Sequence, residues 1–101
     1  MAVMSHLPQT ELKQIGRDAA QRVFGPGKVK DVEVIDIDAS DNQPAYLFSI
    51  LYEGARDAQQ MALLRIRLDQ KLRDELLARG DDGYPLISVL SPQDWDKRQV
   101  A

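Results

Sequence analysis

The longest regular pattern of apolar and polar positions covers residues 57–80, DAQQMALLRIRLDQKLRDELLARG. Asp57, followed three residues later by Gln60, forms a capping box, and Gly80 supplies a C-terminal cap, so this segment is predicted to be one long helix. Five apolar side chains recur at helical spacing. They predict the face that packs on the core, namely Met61, Leu64, Leu68, Leu72 and Leu76.

The same helix carries a second group of apolar residues, about 150° around its axis from the first. An ordinary surface helix is polar at these positions. A helix that is apolar on two sides needs two surfaces to pack against, and a single domain of 101 residues has little material for the second one. We therefore expect another protein chain to cover the second side, which consists of Ala62, Leu63, Ile66 and Leu77.

A first helix is predicted to follow a flexible N-terminal arm formed by residues 1–8. Thr10 is a suitable N-cap residue, and the run GPG at residues 25–27 ends the helix. Two strands follow, VKDVEVIDID at residues 29–38 and AYLFSILYE at residues 45–53, joined by the turn-forming ASDNQP. This arrangement predicts an antiparallel hairpin.

A third strand, YPLISVL, and a short final helix come after the long helix. Ser91 is a suitable N-cap, with Pro92 at the first helical position and an acid, Asp94, two residues further on. The element order αββαβ(α) predicts an α+β fold. We expect one two-layer domain over residues 9–101, with a three-stranded sheet and helices mainly on one face.

The predicted sheet is also apolar on both faces. In the second strand, Tyr46 and Phe48 point one way, whereas Leu47 and Leu51 point the other way. Two helices cover one face and leave the other open, unless the final helix and the arm cover it within the same chain. We therefore predict self-association, as a homodimer or as an accessory subunit of a complex. The predicted interface consists of Leu63, Ile66, Leu77, Leu47 and Leu51.

Composition narrows the classes of function. The chain has no cysteine, which excludes disulfides, thiolate catalysis and Cys-ligated zinc. The single histidine, His6, belongs to the arm and has no triad pattern near it. No segment approaches the roughly 20 apolar residues of a membrane span, and the start has no apolar run of signal-peptide length, so a cytoplasmic protein is expected. No cofactor is predicted.

A net charge of −3 argues against a protein whose whole surface binds nucleic acid. On the long helix the basic residues are spaced to pair with acids, which indicates a solvated face of salt bridges. Four other cations have fewer acids around them. They are the candidate contacts to RNA or DNA phosphates in an alternative function: Arg17, Arg22, Lys28 and Lys30.

The αββαβ order resembles the ribosome-associated KH-like proteins that have an N-terminal helix and strand. That resemblance implies an RNA- or DNA-binding module. A KH site needs a GXXG loop between its two helices, and the kinked variant needs a glycine at the break. Residues 55–79 contain neither, so the binding site does not carry over.

A metal-dependent enzyme is the second alternative. Asp36 and Asp38 lie two apart in a strand, so their carboxylates share a face as paired metal ligands do, and Asp41 in the following turn could add a third ligand. Pairs of this kind are also common where a polar strand end runs into a turn. No catalytic motif accompanies them, so catalysis is not predicted.

Overall fold

The computed structural model describes residues 7–37, 45–54, 57–81 and 83–98. The predicted order αββαβ(α) and the α+β class are confirmed. The elements are α1 (Gln9–Phe24), β1 (Val29–Ile37), β2 (Ala45–Tyr52), α2 (Ala58–Ala78), β3 (Tyr84–Leu90) and α3 (Pro92–Arg98).

The sheet is mixed, with strand order β1-β2-β3. β2 lies in the centre and pairs antiparallel with β1, as the predicted hairpin requires. It pairs parallel with β3. Parallel neighbours need a crossover of a dozen or more residues, and α2 supplies that crossover.

α1 and α2 cover one face of the sheet and enclose the main core. On α2 the predicted core stripe is confirmed, because Leu68, Leu72 and Leu76 are completely buried while Met61 and Leu64 pack partly buried against them. Full burial of each such side chain contributes about 1.5–3 kcal/mol. The sheet meets the helices with side chains that alternate along β1 and β2: Val32, Val34, Tyr46, Phe48, Ile50 and Tyr52.

Among the described residues, the opposite face of the sheet is covered at one end only. α3 contacts β2 and β3, and its Trp95 is buried without belonging to the main core. Ser49, which points away from α1 and α2, is buried as well. At the other end of this face the strand register places Ile35, Leu47 and Leu86 in one row across all three strands. Ile35 and Leu86 are exposed there.

The start of α1 differs from the prediction. The helix begins at Gln9, and the Pro8 carbonyl accepts its first hydrogen bond, from the Leu12 backbone N–H at 3.0 Å. Thr10 therefore lies within the first turn, and none of the described side chains caps this end. Pro8 can take this position because its fixed φ of −59° suits the entry to a helix and it has no N–H to satisfy.

Both ends of α2 are capped as the sequence predicts. The Asp57 carboxylate accepts hydrogen bonds from the backbone N–H groups of Gln59 and Gln60, at 3.0 and 3.1 Å. At the other end Gly80 adopts a φ of +80°, and its N–H and that of Asp81 bond back to the last turn. This pairing is a Schellman motif, which aims the chain into β3.

Helix side chains reach the outer strands of the sheet. The Gln9 side-chain amide donates to the Val34 carbonyl on β1, and Arg65 Nη2 donates to the Ile87 carbonyl on β3 at 2.9 Å. Pro85 lies two residues before Ile87, so its backbone nitrogen faces the same side of β3 as the Ile87 carbonyl. As a proline nitrogen it carries no hydrogen to donate.

In the parts of the chain that the structure describes, no helix has the combined length and apolar character that crossing a lipid bilayer requires.

Candidate protein interface

The outer side of α2 carries three large aliphatic side chains that no described part of the domain covers. Leu63, Ile66 and Leu77 are 60%, 64% and 62% exposed. They lie on the side of the helix opposite the buried Leu68 and Leu72, as their spacing predicts. We call Leu63, Ile66 and Leu77 the outer stripe; its role as an interface stays a prediction.

The structure does not bring the five predicted interface residues together. Leu47 and Leu51 are half-buried on the sheet face that points away from α1 and α2. The outer stripe lies on the far side of the helix layer. The two groups therefore belong to opposite surfaces of the domain. Sequence periodicity identifies apolar faces within each element but does not show which faces end up adjacent.

A groove of about 370 Å³ runs between α2 and the outer edge of β3. Ile66 of the outer stripe lines one wall, and the exposed Leu86 and Tyr84 line the other. Arg73 stacks over the Tyr84 ring at 4.6 Å and pairs with Asp69 at 2.9 Å. The hydrogen bond that Arg73 Nε donates to the Asp69 carboxylate raises the pKa of Arg73. The groove extends the apolar surface from α2 to the sheet edge.

Most charges of α2 are already paired within the domain. Lys71 and Arg79 both contact Glu75, at 3.5 and 2.7 Å, as predicted from their spacing. The hydrogen bond from Arg79 lowers the pKa of Glu75, and the nearby Lys71 charge lowers it further. Three charged residues of the helix have no ion pair within the described residues, namely Arg65, Arg67 and Asp74. Arg65 is bonded to the Ile87 carbonyl, which leaves Arg67 and Asp74. The sequence spacing did not single them out.

The four candidate nucleic-acid contacts come from α1 and from the start of β1. Arg17 pairs with Asp31 on β1 at 3.4 Å. Arg22 is five residues along α1, about 140° around the helix axis, and lines a cleft of about 140 Å³ between α1 and α2. Lys28 and Lys30 are exposed at the start of β1. Phosphate binding by these residues stays a prediction.

The proposed metal ligands are only partly within the described residues. Asp36 is exposed near the end of β1. Asp38, Asp41 and the single histidine, His6, lie outside the described residues. Across residues 7–37, 45–54, 57–81 and 83–98, no three histidine or acidic side chains come close enough together to hold a metal ion.

One buried polar cluster was not anticipated from the sequence. Asp81, only 2% exposed, accepts a hydrogen bond from the Tyr46 hydroxyl at 2.6 Å and another from the Gly83 backbone N–H at 2.7 Å. A buried carboxylate requires such donors. The Asx-turn spacing from Asp81 to Gly83 is the sequence signal that could have identified this cluster. The cluster joins the end of α2 to the central strand.

Comparison of the chain with protein-family models, with curated protein sequences and with solved structures gave no match.

Proposed function

We propose that this protein acts in the cytoplasm through protein–protein contact made by the outer side of α2, as a homodimer or as an accessory subunit of a complex. The exposure of Leu63, Ile66 and Leu77 on one side of a well-capped helix is the observation that carries this proposal. Single exposed apolar residues are common on protein surfaces, but an aligned set on one helix is typical of an interaction site.

The apolar surface of the outer stripe is large enough to drive association. Burying a Leu or Ile side chain contributes on the order of 1.5–3 kcal/mol, and the outer stripe contains three of them. The groove beside Ile66 adds Tyr84 and Leu86 to the same surface. After the cost of bringing two molecules together, such a surface is consistent with binding at micromolar concentration.

Light scattering of the purified protein across the micromolar range tests the proposal. We expect a dimer or larger species for the wild type. Leu63→Asp and Ile66→Asp should each give a monomer with unchanged helical circular dichroism, because neither side chain is in the core. A wild-type monomer at every concentration would overturn self-association.

Two control variants calibrate that experiment. Gln21→Asp introduces the same charge on an exposed part of α1, far from the outer stripe, and should leave the dimer intact. Leu68→Asp places a carboxylate in the core and should unfold the protein. An Ile66→Asp variant that behaves like Leu68→Asp would show that Ile66 stabilises the monomer itself, contrary to the proposal.

A further inference from the structure

Arg67 and Asp74 lie on the same edge of the outer stripe, one above the other along α2. They are seven residues apart, two helical turns, so their side chains leave α2 within about 20° of each other. Neither has an ion pair within the described residues, although the other acidic side chains of α2, Asp69 and Glu75, do. Such a cation and anion, both lacking an ion pair in the described part of the chain and both next to exposed leucines, are the arrangement expected at a symmetric interface, where each ion pair forms twice.

We propose that the occupant of the outer stripe is a second copy of this chain, bound with its α2 antiparallel and centred near Gln70. This inference rests on the proposed function and specifies its partner. A twofold axis perpendicular to the two helices brings the same side of both together. Arg67 of one copy then faces Asp74 of the other, and the same pair forms again on the other side of the axis.

The apolar residues share this centre. Leu63 and Leu77 are each seven residues from Gln70, so the antiparallel alignment places Leu63 of one copy opposite Leu77 of the other. The two leucines lie about 21 Å apart along one helix. Gln70 then meets Gln70 of the second copy, and side-chain amides can donate and accept across such an axis.

A parallel pairing does not bring Arg67 and Asp74 together. Its twofold axis runs along the helices, so the side of one helix that carries Arg67 and Asp74 meets the side of the other that carries Asp69 and Arg73, which are already paired with each other. Only the antiparallel arrangement sets Arg67 of one copy against Asp74 of the other, and its twofold axis limits the assembly to a closed dimer.

Charge reversal at positions 67 and 74 tests the arrangement. Arg67→Asp sets two acids against each other at both symmetric contacts, and Asp74→Arg sets two cations against each other. We expect each variant alone to dimerise at least roughly tenfold more weakly than the wild type at low salt. The difference should shrink in high salt because both contacts lie at the rim. The double variant Arg67→Asp/Asp74→Arg should regain the wild-type dissociation constant.

Mixing the two single variants gives the sharpest result. A chain with Arg67→Asp and a chain with Asp74→Arg complement each other at both contacts only if the helices are antiparallel. Analytical ultracentrifugation of the equimolar mixture should show a heterodimer at concentrations where each variant alone is monomeric. A mixture that stays monomeric under those conditions would overturn the antiparallel arrangement.

The outcomes separate the inference from the proposed function. A wild-type monomer overturns both. A wild-type dimer that Ile66→Asp dissociates, but that neither charge reversal weakens, keeps the outer stripe as the interface and overturns the antiparallel pairing. As a matched control, Lys13→Asp reverses a charge on the exposed side of α1 and should leave the dissociation constant unchanged.

Discussion

The Tyr46 hydroxyl donates a 2.6 Å hydrogen bond to Oδ2 of Asp81. Tyr46 belongs to the central strand and Asp81 to the turn that leaves α2, so this one bond fixes the helix end against the middle of the sheet. Both residues are buried, and the second carboxylate oxygen is held by the Gly83 N–H. The turn into β3 therefore depends on a fully enclosed polar contact.

Tyr46→Phe removes this donor and leaves a buried carboxylate short of one hydrogen bond. We expect the free energy of unfolding to fall by about 1–3 kcal/mol. Urea denaturation followed by circular dichroism measures the change. Tyr84→Phe is the matched control, since Tyr84 is exposed and keeps the ring over which Arg73 stacks. Equal losses for the two variants would contradict the importance of the Asp81 contact.

Gly83→Ala should destabilise the domain through steric overlap. A Cβ at this position would press on Cε2 of Tyr46 and would lie 2.9 Å from both Cδ2 of Tyr46 and Oδ1 of Asp81. Neither group can move, because both are buried. We expect a loss near 3 kcal/mol in the same denaturation experiment.

Gly27→Ala is the control for that substitution. Gly27 has open space around it and only a positive φ of +89° to accommodate, so about 1 kcal/mol should be lost. If Gly83→Ala were no more harmful than Gly27→Ala, the packing of the turn against Tyr46 would be looser than the structure indicates.

Glu75→Gln should show a stability effect that depends on pH. The Arg79 hydrogen bond lowers the pKa of Glu75 in the folded state. A carboxyl group of this kind stabilises the fold above its unfolded pKa of about 4.3, and that stabilisation is lost as the pH falls through the lower folded value. The variant should therefore be less stable than the wild type at neutral pH and equally stable in strong acid.

Because Glu75 is near the surface, the difference at neutral pH should stay below about 1 kcal/mol and should decrease in salt. Thermal melts at neutral and strongly acidic pH provide the comparison. Glu53→Gln serves as control, since Glu53 is exposed and forms no ion pair within the described residues. A Glu75→Gln effect of the same size at both pH values would rule out the linkage.

Millimolar magnesium or manganese should leave the melting temperature unchanged. A ligand at 100 times its dissociation constant would add about 2.7 kcal/mol, which is several degrees for a domain of this size. An upward shift that disappears in Asp36→Asn would instead support the metal-dependent enzyme. Differential scanning fluorimetry with and without the metals decides between these outcomes.

Local patterns account for the features that the sequence predicted correctly. The helical spacing of Leu68, Leu72 and Leu76 and the caps of α2 depend on neighbours within a few residues, and these determine the bounds of the element. The exposure of Leu63, Ile66 and Leu77 follows from the same periodicity. The order of strands also limits the fold to a few arrangements.

Features that join distant segments could not be predicted in this way. The Tyr46–Asp81 bond spans 35 residues, and the Arg65 contact to β3 spans 22. The separation of Leu47 and Leu51 from the outer stripe depends on which sheet face α2 packs against. The pattern of apolar residues along each element does not show which face that is. The predicted start of α1 was wrong for a local reason: Pro8, and not Thr10, is the N-cap residue, and its carbonyl accepts the first hydrogen bond of the helix.

The contacts of Gln9 and Arg65 with the outer strands limit how this protein can associate. Amyloid-like growth requires a strand edge with free donors and acceptors, onto which each new chain adds. On β3, Pro85 offers no N–H and the Ile87 carbonyl is bonded to Arg65, while on β1 the Val34 carbonyl is bonded to Gln9. We therefore expect concentrated solutions of the folded protein to reach a finite particle size and not to convert into fibres, even though the domain displays several exposed aliphatic side chains.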